Sequence, residues 1–234
     1  MEYPLMMGNP GDAEIAAFIS AAMAYGNIKQ IDSTLRKIFS ALGNSPVEAI
    51  LGNTKMKYLQ SISFGHRFYT PTDIQNLLSA LQKILIKYSS LQNFFSRNFN
   101  PLYPNVKEML EATSSDFEEI VLSNELPMTA GMRFIFPRPS GGSACKRMNL
   151  FLRWMIRKDD IDLGIWDNIP TSKLIIPVDT HIARISRKLG LTKRKNVSWT
   201  MAEEITENLR KFDGTDPVKY DFALCHIGMR KLEF

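Results

Sequence analysis

The chain is poor in the residues that build metal centres. Its 234 residues include two cysteines, Cys145 and Cys225, and three histidines, His66, His181 and His226. The cysteines have no C-x-x-C spacing, which excludes a structural zinc site and a four-cysteine iron–sulfur cluster. One disulfide is formally possible, but nothing points to an oxidising compartment. Long apolar runs are also missing. Stretches such as Ile15–Phe18 and Ala21–Tyr25 fall far short of the roughly 20 residues that span a bilayer. No charged and apolar leader opens the sequence, so the cytoplasm is the expected location. There is no nucleotide-binding glycine fingerprint, no P-loop and no internal repeat. Strand patterns are confined to residues 133–136 and 174–178, and the second reads equally well as an extended lead-in.

What remains is a basic, helical, folded chain. Hydrophobic residues make up 44% of it, which excludes a disordered tail. Its length suits one large domain or two small lobes. The net charge of +5 suits a polyanionic partner without proving one. Between Lys173 and Lys195 the basic residues are Lys173, Arg184, Arg187, Lys188, Lys193, Arg194 and Lys195, against the single acid Asp179. That run is either a solvated face or a footprint on a phosphate backbone.

Apolar periodicity predicts an all-α fold. Residues 13–25 are apolar nearly all round and mark a buried helix. A second helix covers 31–42 and stops at Gly43. A long one starts at Thr72-Asp73 and runs through Ile86, and shorter ones fit 104–113 and 115–124. Pro137, Pro139, Gly141 and Gly142 are the sharpest punctuation. A helix from about Ser143 to Arg157 follows, then loop from 158 to 175, then a helix from Asp179 to Leu189 closed by Gly190. Thr200 with Glu203 reads as a capping box. Asp216-Pro217 opens the last helix.

Two segments carry chemistry. Lys146 falls in the first turn of its helix and shares a side with Asn149, Arg153 and Arg157. Neighbouring cations and a helix N-terminus both disfavour an ammonium, and a nucleophilic lysine must be neutral. The alternative is an ordinary exposed lysine. The preceding Gly141-Gly142-Ser143 is either a tight turn capped by Ser143 or a hairpin whose N–H groups face a phosphate. Asp179 follows Pro177-Val178 and opens a helix. It is either the N-cap alone or a carboxylate held toward a working site. His181, Arg184 and Lys188 lie on one side of that helix, with Ile182, Ile185 and Leu189 on the other.

At these residues the chain resembles the helix-hairpin-helix DNA glycosylases, the superfamily of endonuclease III and the 8-oxoguanine DNA glycosylases. Gly141, Gly142 and Lys146 match the glycine turn and catalytic lysine. Val178, Asp179, Thr180 and His181 match the segment that carries the catalytic aspartate. The 33-residue spacing from Lys146 to Asp179 is roughly twice that of endonuclease III and looks like the archaeal 8-oxoguanine branch. Two features depart from the pattern. Arg138-Pro139-Ser140-Gly141-Gly142 stands where the superfamily has Leu-Pro-Gly-Val-Gly, and the iron–sulfur cysteines are missing. The whole chain also resembles an uncharacterised bacterial family, through phrases such as Ser143-Ala144-Cys145-Lys146-Arg147 and Tyr220-Asp221-Phe222-Ala223-Leu224-Cys225-His226.

The resemblance implies one glycosylase-like helical domain over 1–234, built as two lobes with a cleft between them. Residues 30–175 would form one lobe, and 1–29 with 176–234 the other. It implies base excision of an oxidised purine, 8-oxoguanine foremost, through a Schiff base on Lys146 with Asp179 assisting. The DNA contacts would be Gly141, Gly142, Ser143, Arg147, His181, Arg184 and Lys188. Leu150, Phe222, His226 and Met229 would line the base pocket. The expected partner is damaged double-stranded DNA, met by a monomer in the bacterial cytoplasm at the nucleoid, with no cofactor, metal or membrane. A non-catalytic DNA- or RNA-binding module and a helical protein scaffold are the competing readings. The basic run over 184–195 argues against the scaffold.

Overall fold

The computed structural model describes residues 2–53, 57 and 59–230, with side chains through residue 227. The fold is all-α. Strand pairing among the described residues is limited to two isolated bridges, His66 with Tyr69 and Lys158 with Leu163. The chain divides into two compact units. One holds residues 1–98 and 112–136, the other 99–111 and 137–234.

In the first unit, α1 (Glu2–Leu5), α2 (Pro10–Met23), α3 (Ile28–Leu42) and α4 (Pro46–Leu51) are followed by α5 (Pro71–Tyr88) and α6 (Leu91–Ser96). The expected buried helix is α2, and every residue from Asp12 to Met23 is buried. It ends before Tyr25, which is exposed. Its two buried acids work as caps for other helices. Asp12 Oδ1 accepts the Val47 N–H at 2.8 Å, near the start of α4. The Glu14 carboxylate accepts the Leu91 and Gln92 N–H groups, both at 2.7 Å, at the start of α6. Carboxylates bound to a helix N-terminus are stabilised by its unpaired donors.

The long helix opens at Pro71, one residue before the expected Thr72. Thr70 is its N-cap, and Thr70 with Asp73 form a reciprocal capping box. Residues 104–124 hold a single helix, α7 (Lys107–Ser123), where two were expected. Thr113 and Ser114 are buried inside it. The Thr113 hydroxyl accepts from Asn98 Nδ2 at 3.3 Å instead of competing for the backbone. The expected strand at 133–136 is helical through Ile135, within α8 (Ala130–Ile135), with Phe136 as its C-cap. Thr129 caps it, accepting the Met132 N–H at 3.0 Å. Gly131 lets α8 approach Asp73, because a Cβ there would fall 2.5 Å from the Asp73 carboxyl group.

The second unit contains α9 (Lys146–Ile156), α10 (Thr180–Lys188), α11 (Trp199–Arg210) and α12 (Asp221–Arg230). Residues 174–178 are extended but pair with no strand, so the lead-in reading holds. Ser198, two residues before the expected cap, receives the Met201 N–H at 3.3 Å, and its hydroxyl shares a hydrogen bond with the Thr200 hydroxyl at 2.9 Å. Asp216-Pro217 opens a 3-10 turn, Pro217–Tyr220, and α12 follows from Asp221.

The unit boundaries differ from the lobes expected from the sequence. Residues 1–29 stay with the first unit because α2 packs on α1, α3 and α4. Residues 137–175 join the C-terminal helices because buried ion pairs tie them there. Arg153 bonds both Asp162 oxygens at 3.0 Å and also pairs with Asp221. Arg157 holds Asp216 at 2.9 Å, Asp159 at 2.8 Å and Asp162.

Candidate lysine–carboxylate site

Lys146 is the first residue of α9, one turn later than the Ser143 start expected. Ser143 is not the helix cap. Its hydroxyl accepts the Cys145 N–H at 3.1 Å, and Cys145 takes the cap position in the left-handed region, at φ 48°. The Cys145 thiol is buried 3.3 Å from the Pro137 carbonyl, and burial pushes it up to about 12. This is a structural thiol with no thiolate to offer.

The glycine turn spends its own donors. Gly141 N–H bonds the Arg138 carbonyl at 3.1 Å, and Gly142 N–H bonds the Pro139 carbonyl at 2.9 Å. Ser140 gives its N–H and its hydroxyl to the Glu111 carboxylate. The expected phosphate grip by the Gly141 and Gly142 amides is therefore not formed, because a 3-10 turn uses those N–H groups in i→i+3 bonds. Both glycines are exposed, and a Cβ at either would meet nothing within 4 Å.

The segment 174–178 is buried throughout and delivers Asp179 to the start of α10. Ile176 is anchored by its N–H to the Thr206 hydroxyl at 3.0 Å. Asp179 is the N-cap: Oδ1 accepts the His181 N–H at 2.8 Å and the Ile182 N–H at 2.9 Å. Both cap bonds fall on one oxygen. Ile182, Ala183, Ile185 and Ser186 form the buried face of α10, which packs on α12. Leu189 was expected on that face but is exposed, since it caps the helix instead of completing its stripe.

Burial and nearby charges together set the state of the Lys146 amine. Burial is the largest effect and lowers its pKa from the ordinary lysine value. Asp179, then Asp221, then Cys225 oppose this, and Arg147 adds to it. The net direction is toward the neutral amine. The cause differs from the one expected, because Arg153 and Arg157 are neutralised by their aspartates. Asp221 is buried, and desolvation raises it to about 6 despite its pair with Arg153; the like charge of Asp179 adds to the rise. The Cys225 thiol is raised as well, chiefly by burial and then by the two aspartates. A lysine biased toward its free base, within electrostatic reach of two carboxylates, is equipped for nucleophilic attack with proton transfer.

Asp221 and Cys225 escaped the sequence reading, which placed Phe222, His226 and Met229 on the working face. Positions 221 and 225 are also one turn apart, so periodicity favours neither face; the signal was an acid at a helix start. Phe222 is exposed and stacks on half-buried His226 with ring centroids 5.6 Å apart. The Met229 side chain lies outside the described residues. Leu150 is half-buried, one turn beyond Lys146.

Of the expected DNA contacts, His181 and Lys188 are exposed and Arg184 is half-buried. Arg147 is buried, which removes it from a solvent-facing phosphate footprint. Several cations of the basic run have internal tasks. Lys173 bonds the Pro101 and Tyr103 carbonyls at 2.8 and 2.6 Å. Arg187 bonds the Arg194 and Lys195 carbonyls at 2.8 and 2.5 Å, and Arg194 pairs with Glu204 at 2.7 Å.

Among the described residues no cluster of His, Cys, Asp and Glu is placed to hold a metal ion. No helix among them is long and apolar enough to cross a membrane. No curated protein and no solved structure matches the chain. A family model does, over residues 1–230, and by that match the chain belongs to DUF2400, a family of proteins of unknown function.

Proposed function

We propose that this protein is a base-excision DNA glycosylase with lyase activity, acting on an oxidised purine such as 8-oxoguanine. The observation that carries the reading is the Lys146 amine, biased toward neutrality by burial and within electrostatic reach of Asp179 and Asp221. A flipped nucleotide presents its sugar to the lysine. The amine attacks the deoxyribose carbon that bears the base, and the base departs with the bonding electrons. Asp179 steadies the cationic sugar and accepts a proton from the attacking nitrogen. The sugar ring of that adduct then opens: the bond from the same carbon to the ring oxygen breaks, the oxygen takes a proton, and the C=N bond of the Schiff base forms. The Schiff base acidifies the neighbouring sugar carbon, and loss of its proton expels the 3′ phosphate. Leu150, Phe222 and His226 are the candidates for contact with the base. His181, Arg184 and Lys188 on α10 supply the phosphate footprint, in a protein that works on double-stranded DNA at the bacterial nucleoid.

A DNA-binding module without chemistry is the second reading. It is favoured by the two cap bonds that give Asp179 a structural task. Borohydride trapping on oligonucleotides carrying 8-oxoguanine, other oxidised bases or an abasic site separates the two. The expected result is a covalent adduct with the wild-type protein and none with Lys146→Gln. An adduct that persists in Lys146→Gln would assign the nucleophile elsewhere, and no adduct on any substrate would leave the binding module.

A further inference from the structure

The first unit displays an aromatic cluster that the lysine chemistry does not use. The Tyr25 and Phe68 ring centroids lie 5.4 Å apart, and Phe134 meets both edge-on, at 5.4 and 5.8 Å. The Arg67 guanidinium sits 5.7 Å from the centroids of both Tyr25 and Phe68. Phe68 is 59% exposed, Tyr25 41%, and Ile28, just beyond Tyr25, 77%, while Phe134 is half-buried against them. Single exposed apolar residues need no explanation, but a contiguous group of large ones marks an interaction surface.

The cluster is built on a rigid base. His66 and Tyr69 are buried and exchange both backbone bonds, at 2.9 and 2.8 Å. Arg67 and Phe68 form the two-residue tip between them, with Arg67 at φ 56°. The His66 ring bridges the Thr34 hydroxyl at 2.9 Å and the Tyr25 carbonyl at 3.2 Å. Tyr69 donates its hydroxyl to the Ala22 carbonyl at 3.1 Å. Gly65 permits the turn, because a Cβ there would fall 2.4 Å from the Tyr69 carbonyl oxygen. The tip and the Tyr25 loop are thus pinned to each other. Rings held in place lose little further freedom on binding.

The charge around the rings selects the partner. Segments 24–31, 63–72 and 128–136, which carry them, contain Lys29, Arg67 and Arg133 and no acidic residue. Flat rings flanked by cations match a flat, apolar ligand on an anionic chain, which is an unstacked base of a nucleic acid. We propose that Tyr25, Phe68 and Phe134 with Arg67 form a stacking platform for unpaired bases, giving the protein a preference for DNA with disrupted pairing. The proposal shares its nucleic-acid partner with the glycosylase reading but is independent of Lys146.

Fluorescence anisotropy with two labelled duplexes of equal length and charge tests it, one fully paired and one with a short unpaired bubble. The full-length wild-type chain should bind the bubble more tightly. Phe68→Leu and Tyr25→Leu keep apolar bulk but lose the ring, and each should weaken bubble binding about fivefold or more with little change on the paired duplex. Phe68→Trp should retain the preference. Both leucine variants replace exposed rings, and circular dichroism should show the wild-type fold. Equal affinity of the wild type for both probes would overturn the proposal. So would leucine variants that keep full bubble affinity, the result expected if the patch receives another protein, or that lose both probes alike. A bubble preference that survives in Lys146→Gln, with or without a trapped adduct in the wild type, supports the platform whatever becomes of the lysine chemistry.

Discussion

Asp179 holds two tasks that substitution can separate. As a cap, its Oδ1 accepts the His181 and Ile182 N–H groups. As a charge, it opposes the depression of the Lys146 ammonium. Asparagine offers the same Oδ1 without the charge, and alanine offers neither. On stability, Asp179→Asn should stay within a few tenths of a kcal/mol of wild type, whereas Asp179→Ala should cost about 1 kcal/mol. For a chain of this size that cost lowers Tm by about 2–4 °C. On rate the two variants should behave alike. Both remove the group that steadies the cationic sugar and accepts the amine proton, a loss of about a hundredfold to ten-thousandfold. Losing Asp179 also lowers the Lys146 pKa further, so the limb of the pH profile set by the amine should move toward acid. The assays are calorimetry and single-turnover release of 8-oxoguanine. A wild-type rate in Asp179→Asn beside a slow Asp179→Ala would refute the catalytic role and leave only the cap.

Three further outcomes follow from the second unit. Asp221 is raised from 3.8 to about 6 in the folded chain, so its contribution to stability is full below about pH 4 and is lost as pH rises through about 6. Asp221→Asn cannot ionise, so its Tm relative to wild type should improve from about pH 4 to about pH 7; parallel Tm curves would refute the raised value. Asp162→Ala removes a buried partner from both Arg153 and Arg157. Because Asp216, Asp159 and Asp221 remain, the cost should fall near the lower end of the roughly 3–5 kcal/mol range for breaking a buried pair, read by denaturant melts; a change below about 1 kcal/mol would show that the remaining acids compensate fully. Arg184→Glu with Lys188→Glu should weaken binding to damaged and undamaged duplex alike and flatten its salt dependence; affinity unchanged across a salt series would take α10 out of the footprint.

Much of the fold was legible in local signals. The nearly all-round apolar character of residues 13–25 announced a buried helix, and Pro177-Val178-Asp179 announced a capped one. What was hidden lay in one local cap and in partners farther away in the chain. Residues 133–136 look like a strand until Thr129 caps them as a helix, and residues 113–115 look like a break until Asn98 takes up the Thr113 hydroxyl. The candidate site shows the same division. Lys146 and Asp179 stand beside proline and glycine punctuation. Asp221 gains meaning only from Arg153, 68 positions earlier. The error about Arg153 and Arg157 has the same origin: a helix face lined with cations reads as a positive field until the acids opposite them are known.

The buried pairs on α9 also set an order of events during synthesis. A ribosome releases the chain from the N-terminus, and Arg153 and Arg157 emerge before their later partners, Asp216 and Asp221. Until those two acids appear, each arginine has only the nearby loop acids Asp159 and Asp162 to neutralise it. Cys225 and Asp221, whose charges act on the Lys146 amine, come from the same late stretch. The helix that bears the lysine therefore cannot reach its final electrostatic environment while the protein is being made. Its amine takes up its proposed reactivity only in a finished molecule, and a chain stalled before Asp216 would carry the lysine without the surroundings that tune it.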